Sequence, residues 1–250
     1  MNNKPKNILI TGSCRGIGAA MLRRFYDKGH SVILNYSNSD TEADDLYCTL
    51  KALSTGRILK IKADITERIQ VETMFEQAER EFGSIDVLIN NAGLNIDGPF
   101  LEMSEEQWRR VLDVNLSGTF YCAQEFAKRY RGEAGHIINI GASTGLKGRK
   151  NGANYCSSKA GVITLTKCLA LELAPKIAVN CIIPGYVDTE EVMHRYHLDD
   201  KTNYNRITES IPMKRLGTVE DIFRMAEFII ESSSYITGQN FFVNGGNYLG

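Results

Sequence analysis

The chain has 250 residues, 43% of them hydrophobic, enough for one large domain or two small ones with a substantial core. Its 29 basic and 30 acidic side chains leave a net charge of -1, which gives no electrostatic drive towards nucleic acid or an anionic membrane. No apolar run approaches the roughly 20 residues that span a bilayer, and the polar stretch 1–7 lacks the apolar core of a signal peptide. The six cysteines (Cys14, Cys48, Cys122, Cys156, Cys168, Cys181) are scattered, which predicts reduced thiols in a cytoplasmic protein. His30, His136, His194 and His197 make no metal pattern with the carboxylates, so no metal site is expected.

Residues 7–10 are a short apolar run, a first strand. Thr11-Gly12-Ser13-Cys14-Arg15-Gly16-Ile17-Gly18 follows, and then Met21, Leu22 and Phe25 recur at helical spacing. Strand, glycine-rich turn and helix is the arrangement that receives a pyrophosphate at a helix N-terminus. Gly12 permits the tight turn, Gly16 the approach of phosphates to the backbone, and Gly18 the close packing of the helix. Residues 31–34 are the second strand, which ends in Asn35-Tyr36-Ser37. An acidic residue here would bind the adenosine ribose hydroxyls. Its absence, with Arg15 in the glycine loop, favours NADP(H) over NAD(H), unless Arg15 is only a surface charge.

A helix is expected over 41–53 and a third strand over 57–62, closed by Ala63-Asp64-Ile65-Thr66. Asp64 suits an adenine amino group, the cap of the helix opening near Glu67, or both. That helix, 67–82, is amphipathic through Val71, Met74, Phe75 and Ala78. Residues 85–89 form a fourth strand, ending in Asn90-Asn91-Ala92-Gly93, small and amide residues that suit close approach of a ligand. One long helix is expected over 104–131, opened by a capping box at Ser104-Glu105-Glu106-Gln107. Asn115 lies inside it, a mildly unfavourable place for asparagine that hints at a task other than packing.

Residues 136–140 are the fifth strand, followed by Gly141-Ala142-Ser143-Thr144-Gly145. Tyr155 and Lys159 then stand four apart on a helix marked by Val162, Leu165, Leu169 and Leu173, so they share a face. A cation beside a phenol lowers the phenol from its usual value near 10, which gives a proton donor or acceptor usable near neutral pH. Tyr-x-x-x-Lys alone equally describes a surface tyrosine beside a solvated lysine. Residues 177–183 are the sixth strand, leading into Pro184-Gly185-Tyr186-Val187-Asp188-Thr189. From 190 to 214 the chain is polar and weakly periodic, which predicts a mobile lid at about 188–215. A helix over 219–231 and a short strand over 240–243 close the pattern. With no linker and no repeat, 1–250 reads as a single α/β domain, a doubly wound parallel sheet of seven strands with helices on both faces, the Rossmann architecture.

Five motifs in order carry a resemblance. They are Thr-Gly-x-x-x-Gly-x-Gly at 11–18, Asn-Asn-Ala-Gly at 90–93, Asn115, Tyr-x-x-x-Lys at 155–159 and Val-Asn-x-Ile-x-Pro-Gly at 179–185. Over 7–246 the chain resembles the short-chain dehydrogenase/reductase family. Within the family it is most similar to 3-oxoacyl-[acyl-carrier-protein] reductases, through Thr-Gly-x-x-Arg-Gly-Ile-Gly and Val-Asn-Gly-Gly-Asn-Tyr at 243–248.

The resemblance implies catalytic roles for Tyr155, Lys159 and Asn115. Tyr155 passes a proton to the carbonyl oxygen as hydride reaches the carbon. Lys159 lowers the Tyr155 pKa and holds ribose hydroxyls, and Asn115 anchors a water that links Lys159 to solvent. It implies a cofactor site along Gly12, Ser13, Cys14, Arg15, Gly16, Ile17 and Gly18, then Asn35, Tyr36 and Ser37, then Asp64, Ile65, Asn91, Ala92 and Gly93. Tyr155, Lys159, Pro184, Gly185, Val187 and Thr189 complete that site. Ala142, Ser143, Tyr155 and Tyr186 face the substrate, a small carbonyl or alcohol.

Relatives acting on sugars, steroids or small alcohols share these features. A β-keto substrate carried on acyl carrier protein would dock on Lys128, Arg129, Arg131 and Lys176, which otherwise complement helix dipoles. The resemblance also implies a homotetramer pairing through 104–131 and 153–174, with Cys122, Phe126 and Leu169 offering apolar contact.

One position departs. The family's serine, thirteen residues before the tyrosine, is Ala142 here. Ser143 adjoins it, on the other side if the segment is extended. An alanine introduced to trap a complex, a shifted loop that brings Ser143 into use, and a weak or non-catalytic dinucleotide-binding protein are the three readings.

Overall fold

The computed structural model describes residues 4–231 and 235–249. The expected domain limits at 1 and 250, and the first residues of the polar N-terminal stretch, lie outside the described residues. Seven parallel strands form one sheet in the order β3-β2-β1-β4-β5-β6-β7. They are β1 (Asn7–Ile10), β2 (Ser31–Tyr36), β3 (Ile58–Lys62), β4 (Val87–Asn90), β5 (Gly135–Ile140), β6 (Ile177–Pro184) and β7 (Asn240–Val243). Every residue of β2, β4 and β5 is buried, as expected of parallel strands covered on both faces.

Alternation along each strand divides the core in two. Ile8, Ile10, Val32 and Leu34 pack with α1 (Gly16–Asp27), α2 (Asp40–Leu53) and α10 (Val219–Glu231). Leu9, Ile33 and Leu88 face α3 (Arg68–Phe82), α5 (Gly118–Arg129) and α7 (Ala153–Leu173). The order reverses between β1 and β4, and their carboxyl ends open the crevice where open α/β sheets bind ligands.

The expected helix over 104–131 is three pieces. α4 (Glu105–Leu112) opens with the anticipated Ser104–Gln107 capping box, the wider π turn Asp113–Ser117 follows, and α5 ends at Arg129. The π turn holds Asn115, whose side chain bonds outside the helix. Cys122 and Phe126, expected as contacts between subunits, are core residues on the sheet. The exposed large apolar side chain along this stretch is instead Trp108, with Phe100 and Leu101 exposed just ahead of it.

Short α6 (Thr144–Lys147) precedes α7. The polar segment after 189 is ordered as α8 (Glu190–Arg195) and α9 (Lys201–Ser210), capped by the Thr189 and Asp200 side chains. Leu198, Ile207, Ile211 and Leu216 bury a small core of their own there, against Tyr186 and Tyr196. The helices are too short for their apolar spacing to show as a period. Among the described residues no helix is long and apolar enough to cross a membrane.

Candidate active site

The glycine loop lies at the reversal point. Gly12 has φ +58°, and a Cβ there would come within 2.9 Å of the Ala92 Cα, so only glycine lets the β1 and β4 ends approach. The Thr11 hydroxyl accepts from the Asn91 and Ala92 amides at 3.0 Å, while the Asn91 amide donates to the Thr11 and Gly12 carbonyls. Asn35 accepts from the Gly12 amide at 3.2 Å and donates to the Ala63 carbonyl at 3.0 Å. The side chains of Asn35 and Asn91, expected to touch a cofactor, are thus committed to holding the loop. Ile65 also serves packing, since it fills the space beside Gly118. Asp64 caps the turn at Thr66, at 2.9 Å from its amide, and lies 3.7 Å from Arg110; Glu67, not Asp64, stands at the N-cap of α3.

Three features of the loop fit a dinucleotide phosphate. Space beside Gly16 is open, since a Cβ there would meet nothing within 4 Å. The Ser13 hydroxyl is buried without a partner among the described residues. Arg15 is exposed at the N-cap of α1, and its guanidinium makes no hydrogen bond or ion pair among the described residues. Cys14 and Ile17 are partly buried against the core behind the loop. Tyr36 is buried and lies between Lys60 and Lys62, whose ammonium groups are 5.8 and 6.0 Å from its ring centre. Lys62 pairs with Asp40 at 2.7 Å, and half-buried Ser37 follows. These two lysines escaped the sequence reading because they sit on a neighbouring strand.

α7 carries Tyr155 and Lys159 into the crevice. Lys159 is buried, and its ammonium donates to the Ile140 carbonyl at 2.7 Å and lies 5.8 Å from the Tyr155 ring centre. A Cβ on Gly93 would lie 3.8 Å from that ammonium and 3.6 Å from Asn115 Oδ1, so three motifs distant in sequence meet here. Asn115 accepts from the Leu94 amide at 2.7 Å and donates to the Leu94 carbonyl and the Ser158 hydroxyl, both at 2.9 Å. Its side chain therefore braces the wall of the crevice. Its main-chain carbonyl accepts from the Thr119 hydroxyl at 2.7 Å.

The expected lowering of Tyr155 by Lys159 is not found. Burial pushes the phenol above its ordinary value and Glu191 adds to this, while Arg149 and Arg195 act in the opposite sense. Burial also pulls the Lys159 ammonium down to about 8. Desolvation outweighs the cations that lower the phenol.

On the opposite wall the Ala142 methyl offers no donor. Its carbonyl accepts from the Gly145 amide at 3.0 Å. Ser143 has helical angles, φ -61° and ψ -25°, so strand alternation does not place it. Ser143 is buried and its hydroxyl makes no hydrogen bond among the described residues. Gly185 packs on Asn244, Val187 is buried and bridges Gly217, and Thr189 caps α8. Pro184 ends β6. Tyr186 meets Tyr196 edge to face at 5.1 Å.

Around Tyr155 stands a cluster without a sequence signature. Arg149 pairs with Asp97 at 2.6 Å, and Arg195 pairs with Asp97 at 3.2 Å and Glu191 at 2.5 Å. Its members come from three stretches far apart in the chain, so no local pattern could have revealed it.

A crevice at the strand-order reversal thus holds a phosphate-ready loop and a Tyr155–Lys159 pair in which the lysine is buried. A family model described as short chain dehydrogenase matches residues 6–199. The chain belongs to the short-chain dehydrogenase/reductase family. It is 37% identical to the 3-oxoacyl-[acyl-carrier-protein] reductase of Staphylococcus epidermidis over 98% of this chain and 99% of that one. With the Synechocystis reductase of the same name identity is 35% over 95% of each. A short-chain dehydrogenase/reductase structure from Brucella melitensis, titled glucose/ribitol dehydrogenase, superposes with a TM-score of 0.90 at 30% identity, over 98% of this chain and 97% of that one. A Serratia marcescens short-chain dehydrogenase/reductase gives 0.89 at 31%, over 97% of each. As a member of this family the chain is an oxidoreductase using a nicotinamide dinucleotide.

Proposed function

We propose that this chain is an NADP(H)-dependent reductase that converts a ketone, of the 3-oxoacyl thioester type, into a secondary alcohol, with Tyr155 as the general acid. The observation that carries this reading is the convergence of Tyr155, Lys159 and Gly93 beside the Gly12–Gly18 loop. The dinucleotide, when bound, supplies the hydride. Arg15, without a partner among the described residues, can take a 2′-phosphate, and no carboxylate at 35–37 repels it. Lys159 holds ribose hydroxyls, Tyr155 donates its proton to the carbonyl oxygen, and Ala142 leaves that oxygen one donor short. The segment 188–215 closes over the substrate as a lid, and the whole chain acts as one domain.

The substrate class follows the names of the relatives. Delivery on an acidic carrier protein has less support. Arg129 is held by Glu125 at 2.5 Å, Glu79 at 2.9 Å and Glu76 at 3.3 Å, and Lys128 lies 3.9 Å from Glu125. Arg131 donates to the Lys128 and Tyr130 carbonyls, which leaves Lys176 as the member of the expected patch without a side-chain partner among the described residues. We further propose a cytoplasmic homotetramer, with Phe100, Leu101 and Trp108 in place of Cys122 and Phe126 among the contacts. A protein that binds the dinucleotide without turnover is the second reading, and Ala142 favours it. Steady-state NADPH oxidation with a small β-ketoester, in this chain and in Tyr155→Phe, tests both. Turnover lost in the variant supports the reductase. Binding without turnover in the parent chain supports the second reading, and full turnover in Tyr155→Phe rejects the assigned acid.

A further inference from the structure

The two sides of the crevice beside Tyr155 are joined by a ring of four side chains. Asp97 and Arg149, from the stretches after β4 and before α7, pair at 2.6 Å. Arg195 and Tyr196 follow one another at the end of α8. Arg195 donates to Asp97 at 3.2 Å, and Arg149 donates to the Tyr196 hydroxyl at 3.2 Å. Each of the two residues from α8 thus takes one member of the ion pair on the rim. The Arg149 Cζ lies 5.4 Å from the Tyr155 ring centre, which sets this ring of contacts against the candidate proton donor.

The two sides are held differently. The rim is tied to the body of the protein. Gly98 donates to the Asn151 carbonyl at 2.9 Å, and Asn154 donates to the Ile96 carbonyl at 2.8 Å. Arg149 lies on Gly152, where a Cβ would meet its Nε at 2.9 Å, and it donates to Asn95 at 3.3 Å. The segment of α8 and α9 packs on itself instead, through Leu198, Ile207, Ile211 and Leu216. Among the described residues, the hydrogen bonds and ion pairs that leave 190–200 for the chain outside 186–217 are the Arg195–Asp97 and Arg149–Tyr196 contacts. A segment with its own core and two outer polar ties moves as a unit when those ties part.

Exposed ion pairs contribute little. Here the side chains of Arg149, Arg195 and Asp97 are only 19, 22 and 32% exposed, and one carboxylate serves two guanidinium groups. Glu191 holds Arg195 from within α8 at 2.5 Å, so that guanidinium is already aimed when it meets Asp97.

We propose that Asp97 is a positioning residue that latches α8 over Tyr155, directly through Arg195 and, by holding Arg149, through Tyr196, and so retains a bound ketone. The proposal rests on 188–215 being the substrate lid of the proposed reductase. Asp97 handles neither the proton nor the hydride; it sets how long the crevice stays closed.

Hydrogen exchange of the backbone amides in 190–198 reads the latch, on the full chain loaded with oxidised NADP. Asp97→Asn keeps the shape and removes the charge. It should speed that exchange at least about tenfold, since bonds to charged groups are the stronger ones. Amides of α7 should be unchanged, and Asp97→Glu should recover part of the protection. Arg195→Met should match Asp97→Asn, and the double variant should add little, because both changes remove one contact. The Kd of ethyl acetoacetate for the NADP-loaded protein, a complex that cannot react, should rise at least about fivefold, with NADP affinity unchanged. In turnover with NADPH the loss should fall on KM and leave kcat within about twofold. Should Asp97→Asn not fold, Arg195→Met carries the same comparison. Exchange at 190–198 as slow as in the parent, in a variant lacking the contact, overturns the latch. Faster exchange with unchanged ketone affinity instead rejects the reading of 188–215 as the substrate lid.

Discussion

The Asn115 amide donates to the Ser158 hydroxyl at 2.9 Å, and that hydroxyl donates to the Tyr155 carbonyl at 2.7 Å. This two-bond chain joins the π turn to the first turn of α7, and the same Asn115 amide satisfies both backbone groups of Leu94. Asn115→Ala would leave these partners unpaired in a buried site. Each such group costs about 1–3 kcal/mol. The variant should lose at least about 2 kcal/mol of stability by chemical denaturation, and Ser158→Ala should lose less, because it removes a single bridging hydroxyl. Equal stability of Asn115→Ala and the parent would reject the bracing role.

Ala142 should limit turnover. A hydroxyl there can share the carbonyl oxygen with Tyr155 and reduce unproductive poses; a methyl cannot. Ala142→Ser should raise kcat/KM at least about tenfold, some 1.4 kcal/mol of transition-state binding, with NADPH affinity unchanged. Ser143 provides the control, because its hydroxyl has no hydrogen-bond partner among the described residues. If Ser143→Ala abolishes activity and Ala142→Ser adds nothing, Ser143 is the donor.

Arg15 should decide between the two dinucleotides. Its guanidinium is exposed, and no intramolecular partner competes for it among the described residues. Arg15→Ala should weaken NADPH by about tenfold or more, since a charge-assisted bond to phosphate is worth on the order of 1.5–3 kcal/mol. NADH binding should barely change. Parent protein that binds NADH as tightly as NADPH would count against the preference.

His136 should make the fold acid-sensitive. It is buried at the head of β5, its Nδ1 has no partner among the described residues, and burial, with Lys6 nearby, pulls it down to about 4 from an ordinary 6.5. Between those values the unfolded chain holds a proton that the folded chain refuses, so stability falls as pH drops through this window. The full effect is on the order of 3 kcal/mol. His136→Phe should flatten the stability curve between pH 6.5 and 4 relative to the parent, and unchanged slopes would assign the acid sensitivity elsewhere.

The sequence by itself determined the strand–helix alternation, the glycine loop and the Tyr155–Lys159 pair. Those signals are local. The apolar strands, the loop at Thr11–Gly18 and the i, i+4 spacing on α7 each lie within a few residues, and periodicity reads them directly. Local signals also set the Ser104 capping box. Only the tertiary structure decided what surrounds those groups. Asn35 and Asn91 stand at the expected loop, yet their amides are taken by the backbone of Gly12, Thr11 and Ala63. Cys122 and Phe126 turned inward because α5 packs on the sheet. Arg149 reaches Tyr155 through Asp97, Asn95 and Tyr196, the nearest of these being 47 residues away. Proton affinity in a site depends on burial and on the charges facing it through space. No spacing along the chain records either, so the pair was legible and its electrostatics were not.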